Sequence, residues 1–274
     1  MAVRSSLKSI FAAATAAILA LGVLTGAQAA SPPVPEDLVI QRLEASGALD
    51  RAVERGIVRF IQRKEAAQAS QRQTEDAEMA KLAVNARAVA PATDHIFGPV
   101  DAPVSIIVYD DFECPYCQQF VGRPEAAVKA LAGKANFVLR NFPLSFHDPV
   151  ATQEARAAEC SNLLAGTAVY WKFANGIFAA TASNKRGMPR KNGVDGLTAL
   201  AKELGINEAE FAKCIASPES AGLVASDIRD GIKAGIRGTP GIIVRNNRTG
   251  AARTSAGAVS ADVLEALARE VLGK

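Results

Sequence analysis

No aspartate or glutamate occurs before Glu36. Over that acid-free stretch the chain carries Arg4 and Lys8, then an apolar run from Ile10 to Gly26, then Ala27-Gln28-Ala29. This is the pattern of a secretory signal peptide cut after Ala29, residues 1–29. An uncleaved anchor is the alternative, because the run falls only slightly short of the ~20 apolar residues that span a bilayer. The extended, polar Ser31–Asp37 segment that follows favours cleavage, and export with it. No later segment is long and apolar enough to cross a membrane.

A surplus of charge is missing too. Removing Arg4 and Lys8 from 31 basic residues leaves 29 against 28 acidic ones, so the exported chain is nearly neutral and no nucleic-acid partner is expected. Histidine occurs twice and methionine three times, and of the four cysteines Cys160 and Cys214 stand alone. A zinc site needs a second cysteine pair or histidines at ligand spacing. Neither exists, so no metal and no cofactor is expected.

What the chain does have begins with a long region without cysteine, tryptophan or tyrosine, Glu36 to Ala90. Its apolar residues Leu38, Leu43, Leu49, Val53, Ile57, Phe60 and Ile61 recur at roughly helical spacing and then give way to alanines. Two helices are predicted, the second long, with an apolar stripe too narrow to form a core alone. The stripe either folds back on its own domain or serves as an oligomerisation stalk; we expect the stalk, and a homo-oligomer.

Pro91 to Pro103 reads as a linker, and Val104–Asp110 (VSIIVYD) as a buried central strand. A helix follows from Cys114 through CPYCQQFVGRPEAAVKALAG, and a second buried strand covers ANFVLRNFPL. A helical region from residue 149 to about 235 then precedes a hairpin and a closing helix, with Ser260 as its N-cap. Strand, helix, strand, helical insert, hairpin, helix is an α/β pattern, covering residues 92–274.

Within DDFECPYCQQF, Cys114 stands at a strand-to-helix junction, where free backbone N–H groups and the helix dipole favour an anion. The thiolate is the nucleophile of disulfide exchange, so Cys114 is the expected attacking thiol, and Cys117, one turn further in, the resolving thiol. Pro115 fits the first helical turn, and with Tyr116 is expected to tune the redox poise of the pair. A structural staple is the bland alternative. Thr239–Pro240 comes directly before the strand GIIVRN. A trans loop is possible there; a cis peptide would present backbone to an extended substrate, and the cysteine pair favours the second. Among Asp110, Asp111 and Glu113, Asp111 is the best candidate to influence the thiols, with a solvated or capping acid as the alternative. His147 reads as a loop or helix-start residue, and Tyr170, Trp171, Phe173 and Phe178 as core aromatics.

The C-P-Y-C pair after a β-branched strand, followed much later by Gly-Thr-Pro and a hairpin, resembles the DsbA-like thioredoxin-fold thiol–disulfide oxidoreductases of bacterial envelopes. Glutaredoxins share the dipeptide, but Cys117 and Pro240 are 123 positions apart, where thioredoxins and glutaredoxins use a few dozen. The segments FGPVDAPVSIIVYDDFECPYC, NFPLSFHDPVATQEARAAEC, YWKFANGIF and IRGTPGIIV are similar to the subgroup of the suppressor-of-copper-sensitivity proteins, whose members carry an N-terminal helical segment. The resemblance implies a thioredoxin fold with a DsbA-like helical insertion, a periplasmic location, and exchange of disulfides with cysteine-containing envelope proteins. It also implies a membrane redox partner that resets the cysteine pair. Members of the family include oxidases and oligomeric proteins that shuffle disulfides; the stalk tips our expectation toward isomerase or reductase. A Cu(I)-binding envelope protein is the alternative of a different class. The family's buried acid, six positions before the first cysteine, falls here on Val108. Subgroup members often carry cysteines at the positions of Cys160 and Cys214, and with Cys114 and Cys117 as the redox pair these two are expected to be disulfide-bonded, two buried free thiols being the alternative.

Overall fold

The computed structural model describes residues 35–273, so the signal-peptide segment, residues 1–29, lies outside the described residues. The described residues divide into two units, one ending at Lys64 and the other beginning at Glu65.

In the first unit lie helix α1 (Glu36–Ala45) and the start of helix α2 (Ala48–Ala83), the two helices expected from the periodicity. Leu38, Leu43, Leu49, Val53, Ile57, Phe60 and Ile61 are between 41% and 59% exposed there, an apolar face with no covering element among the described residues. Glu65 onward belongs to the second unit, so the division between the two units falls inside α2. Ala83 and Ala86 are buried in the second unit against Tyr109 and Ile243.

The second unit is built on a five-stranded sheet in the order β1 (His95–Phe97), β3 (Ala135–Asn141), β2 (Val104–Asp110), β4 (Gly241–Asn246), β5 (Ala252–Ala256). β2 runs parallel to β3 and antiparallel to β4, with Ile106 opposite both Phe137 and Val244. Every residue of β2 is buried, which is why its sequence is a continuous apolar run. Strand alternation divides it between two cores. Val104, Ile106 and Val108 join the core that holds the cysteines, and Ile107 and Tyr109 join the opposite one. β1 lies within the stretch expected to be a linker; three residues carry too little periodicity to announce a strand, and its pairing with β3 is what defines it.

The helix expected after Cys114 is two helices, α3 (Pro115–Phe120) and α4 (Arg123–Ala130). Gly122 takes φ +83° between them, a left-handed conformation that ends α3. The insert comprises α5 (Val150–Ala165), α6 (Thr167–Ala180), α7 (Gly196–Glu203), α8 (Glu208–Ile215) and α9 (Pro218–Lys233), and α10 (Ala261–Leu272) closes the chain. Tyr170, Phe173 and Phe178 of α6 are buried in the cysteine-bearing core, with Trp171 partly buried against it. α9 packs close to the sheet at Gly231, where a Cβ would stand 2.7 Å from the Phe142 ring and 3.0 Å from the Tyr109 ring.

On that second face a buried ionic network ties the parts together. Arg140, fully buried, donates to Asp94 at 2.9 Å and to Asp230 at 2.7 Å, and Tyr109 donates its hydroxyl proton to Asp230 at 2.5 Å. Arg87 bridges Asp94 and Asp227, both at 2.8 Å. Among the described residues no helix is long and apolar enough to cross a membrane.

Candidate active site

β2 ends at Asp110, and the chain turns sharply into α3. The turn is closed by Cys114 N–H donating to the Asp111 carbonyl at 3.0 Å, and by Glu113 N–H donating to Asp111 Oδ1 at 2.8 Å. Cys114 is the N-cap residue of α3 with Pro115 in its first turn, and its carbonyl accepts from Cys117 and Gln118 N–H, both at 3.1 Å. Both cysteines are unpaired thiols, Cys114 4% exposed and Cys117 fully buried, while Tyr116 between them is 63% exposed. The loop before β4 supplies the facing wall. Its Thr239–Pro240 peptide is cis, and the Thr239 carbonyl lies 3.5 Å from Cys114 Sγ.

The two thiols are electrostatically unequal. Cys114 is pulled down to about 6, first by its hydrogen bond with Cys117, then by Thr239 and the N–H groups of Cys117 and Tyr116, against the opposing effect of burial. At pH 7 it is therefore ~90% thiolate. Cys117 is pushed well up, first by burial, then by its bond to Cys114 and by the nearby Asp110.

Asp110 is the acid that meets the thiols. It is 6% exposed and raised to about 7, first by burial and then by the charges of Cys114 and Asp111, against the lowering effect of Cys117. Asp111, the acid expected from sequence to influence the thiols, has its carboxylate committed elsewhere. Its Oδ2 accepts from Leu144 N–H at 2.9 Å and is hydrogen-bonded to His147 Nδ1 at 2.7 Å. Burial raises Asp111 while these bonds lower it, and its direct role is to fasten the turn to residues 144–147. His147 ends a one-turn 3-10 helix, Ser145–His147, in the connection before α5, and its side chain is buried. Sequence alternation held the signal for Asp110. The family's acid position falls on Val108, and Asp110 is two residues further along the same strand, hence on the same face.

A second buried carboxyl pair supports the turn from below. Glu113 accepts from the Thr181 hydroxyl and from Gly187 N–H at 3.3 Å. Glu154 of α5 is raised to about 9, chiefly by burial and then by the Glu113 charge, so at neutral pH it is protonated. Glu154 lies 41 positions from Glu113 in the chain, and no local pattern links them. Elsewhere in the insert Cys160 of α5 and Cys214 of α8 form a disulfide, with Cα atoms 5.8 Å apart. Among the described residues no three His, Cys, Asp or Glu side chains cluster at metal-binding spacing.

A groove of about 200 Å³ runs beside Pro240, lined by Ile236, Arg237, Thr239, Thr254 and Ala256 and by Met79 of α2.

The thioredoxin family model matches residues 90–261, the whole sheet, the turn and the helical insert, ending at the first residue of α10. Among solved structures, DsbA2 of Pseudomonas aeruginosa is similar over 65% of this chain and 94% of its own, at 28% identity and a TM-score of 0.57. BcfH of Salmonella enterica Typhimurium shares the fold over 87% of this chain and 99% of its own, at 18% identity and a TM-score of 0.63. Among curated proteins, Na(+)/H(+) antiporters NhaA match in part. That of Herminiimonas arsenicoxydans is 29% identical over 160 residues, 58% of this chain and 24% of the antiporter. NhaA 3 of Salinispora tropica is 31% identical over 163 residues, 58% of this chain and 23% of the antiporter. The chain thus spans about a quarter of the length of these curated relatives. The mixed sheet, the helical insert and the match over residues 90–261 place the chain in the thioredoxin family, with a DsbA-like fold.

Proposed function

We propose that this protein is exported to the periplasm, where it exchanges disulfides with cysteine-containing envelope proteins through Cys114 and Cys117, as an oligomeric isomerase or reductase. The observation that carries the reading is the asymmetry of the pair, one thiol held near 6 beside the Thr239 carbonyl and the other buried and held protonated.

The Cys114 thiolate attacks a client disulfide. A bond forms between Cys114 and one client sulfur, the client S–S bond breaks, and the departing sulfur leaves with the electron pair as a thiolate that takes a proton from solvent. Asp110, near half-ionised at neutral pH, accepts the Cys117 proton. Cys117 then attacks the Cys114 sulfur, releasing the second client thiolate and leaving Cys114–Cys117 oxidised. The client has gained two electrons. Run in reverse, the same steps oxidise a client dithiol, and isomerisation follows when a client thiolate attacks the mixed disulfide before Cys117 does. Pro115 and Tyr116 set the poise within the motif, Thr239 and Pro240 with the adjacent groove hold the client backbone, and a membrane redox partner returns the pair to its working state.

The exposed apolar face from Leu38 to Ile61 supports a homo-oligomer, which raises the effective concentration of active sites around one misfolded client. A DsbA-type oxidase is the second reading, favoured by the stabilised Cys114 thiolate, which makes the reduced pair the more stable product. Mutating Cys114 to serine is expected to abolish insulin reduction and dithiol oxidation; full retention refutes exchange. Sedimentation of the exported form beside a form starting near Ala92, each assayed with scrambled ribonuclease, tests assembly and direction. A monomer with α1 and α2 intact ends the assembly argument.

A further inference from the structure

Three surface segments are fastened to the turn that carries Cys114. Residues 144–147 are held through Asp111, which bonds Leu144 and His147. Residues 181–187 are held through Glu113, whose backbone carbonyl accepts from Asn184 N–H at 2.9 Å and whose carboxylate accepts from Thr181 and Gly187. The third segment is the loop before β4, whose Thr239 carbonyl meets Cys114.

What these segments present to solvent has one character. Phe146 is 64% exposed and Tyr116 is 63% exposed. Lys185 and Arg186 crown the second segment and Arg237 stands two residues before Thr239, all three exposed. Every acid of the turn faces inward: Asp110, Asp111 and Glu113 are 6%, 1% and 0% exposed. Among the described residues no carboxylate pairs with Lys185, Arg186 or Arg237. Arg186 spends donors on its own loop, on the carbonyls of Ser183 and Ala182, yet keeps its charge.

The backbone under Lys185 is unusual. Ser183, Asn184 and Lys185 take φ of 58°, 54° and 68°, three consecutive non-glycine residues in the left-handed region. Side chains other than glycine, and to a lesser degree asparagine, are disfavoured there, and strain of this kind persists where surroundings enforce it, commonly at functional sites. Here the enforcing contacts are those to Glu113, the residue before Cys114.

We propose that this rim is a docking surface for client segments in which the reacting cysteine is flanked by acidic residues and a neighbouring apolar side chain. Unpaired cations on the rim of a reactive centre attract an acidic segment and raise its encounter rate, and the exposed rings of Tyr116 and Phe146 supply contact area for the apolar residue. The proposal rests on the exchange reading for the identity of the occupant.

The test uses peptides that each contain one disulfide and differ only in whether two Glu, two Ser or two Lys flank the attacked cysteine. The full exported chain is assayed for mixed-disulfide formation, and its Cys114→Ser/Cys117→Ser variant for affinity toward the same peptides. Expected is a rate at least ~10-fold higher for the Glu than for the Lys peptide in dilute buffer, merging near 1 M salt, where the screening length is ~3 Å, with the same order in affinity. The doubly reversed Lys185→Glu/Arg237→Glu variant, which removes no side-chain hydrogen bond or ion pair among the described residues, is expected to invert the order. Exchange with equal rates for the three peptides, or a Lys preference, overturns the docking proposal and leaves the exchange reading standing. Preferential binding of the Glu peptide without any mixed disulfide overturns the exchange reading and upholds the surface. Binding to anionic lipid vesicles with no peptide preference also overturns the docking proposal.

Discussion

Replacing Asp110 with asparagine removes a buried acid that the fold holds far from its ordinary value. Asp110 moves from 3.8 to about 7, chiefly because burial disfavours its charge. The sign follows from proton counting. Between those two values the folded chain binds a proton that the unfolded chain has released, so stability falls as pH rises through the window and the loss is complete above about 7. At ~1.4 kcal/mol for each pH unit of separation, the ionised carboxylate destabilises the reduced protein by on the order of 4 kcal/mol. The neutral amide introduced by Asp110→Asn carries no such penalty and keeps a polar atom toward Cys117. Urea unfolding of the two reduced proteins should therefore show little difference near pH 4 and a gain for the variant that grows to several kcal/mol by pH 8. The same variant lacks the acceptor for the Cys117 proton, and resolution of a trapped mixed disulfide should slow by about 10²-fold or more, while formation of that mixed disulfide changes little. A stability difference independent of pH, or resolution at the wild-type rate, refutes the assignment of Asp110 as the acid coupled to Cys117.

Thiolate absorbance of the reduced protein should titrate near pH 6 and disappear in Cys114→Ser; a midpoint near the ordinary thiol value of 9.0 contradicts the hydrogen bonds assigned to Cys114. The Cys160–Cys214 disulfide spans 54 positions and in the chain-entropy model stabilises the fold by ~4 kcal/mol. The Cys160→Ser/Cys214→Ser variant should lose stability of that order in denaturant melts while retaining exchange activity, and unchanged stability counts against the bond. Arg140→Met removes the buried cation shared by Asp94 and Asp230, leaving Asp94 with Arg87 alone, with an expected loss of ~3–5 kcal/mol by urea unfolding; a loss below about 1 kcal/mol means the network contributes little.

The sequence alone determined the elements whose signal is local. The unbroken apolar run Val104–Asp110 marks a strand buried on both faces, the C-P-Y-C pair marks a reactive helix start, and the 123 positions between Cys117 and Pro240 mark the helical insert. Helical spacing in Glu36–Ala83 likewise announced α1 and α2. The tertiary structure decided what depends on which groups meet. Asp110 and Asp111 are adjacent in the chain and chemically identical, but strand alternation sends one toward Cys117 and the turn commits the other to His147. Glu154 is held protonated only because the fold buries it within reach of the Glu113 charge, 41 positions away in the chain. β1 exists only through its pairing with β3. The end of α2 belongs with the sheet because Ala83, and Ala86 just beyond the helix, pack with Tyr109 and Ile243, a contact no periodicity in α2 could specify. Periodicity records the face a residue turns inward; the identity of what waits on that face is fixed by chain crossings tens of residues away.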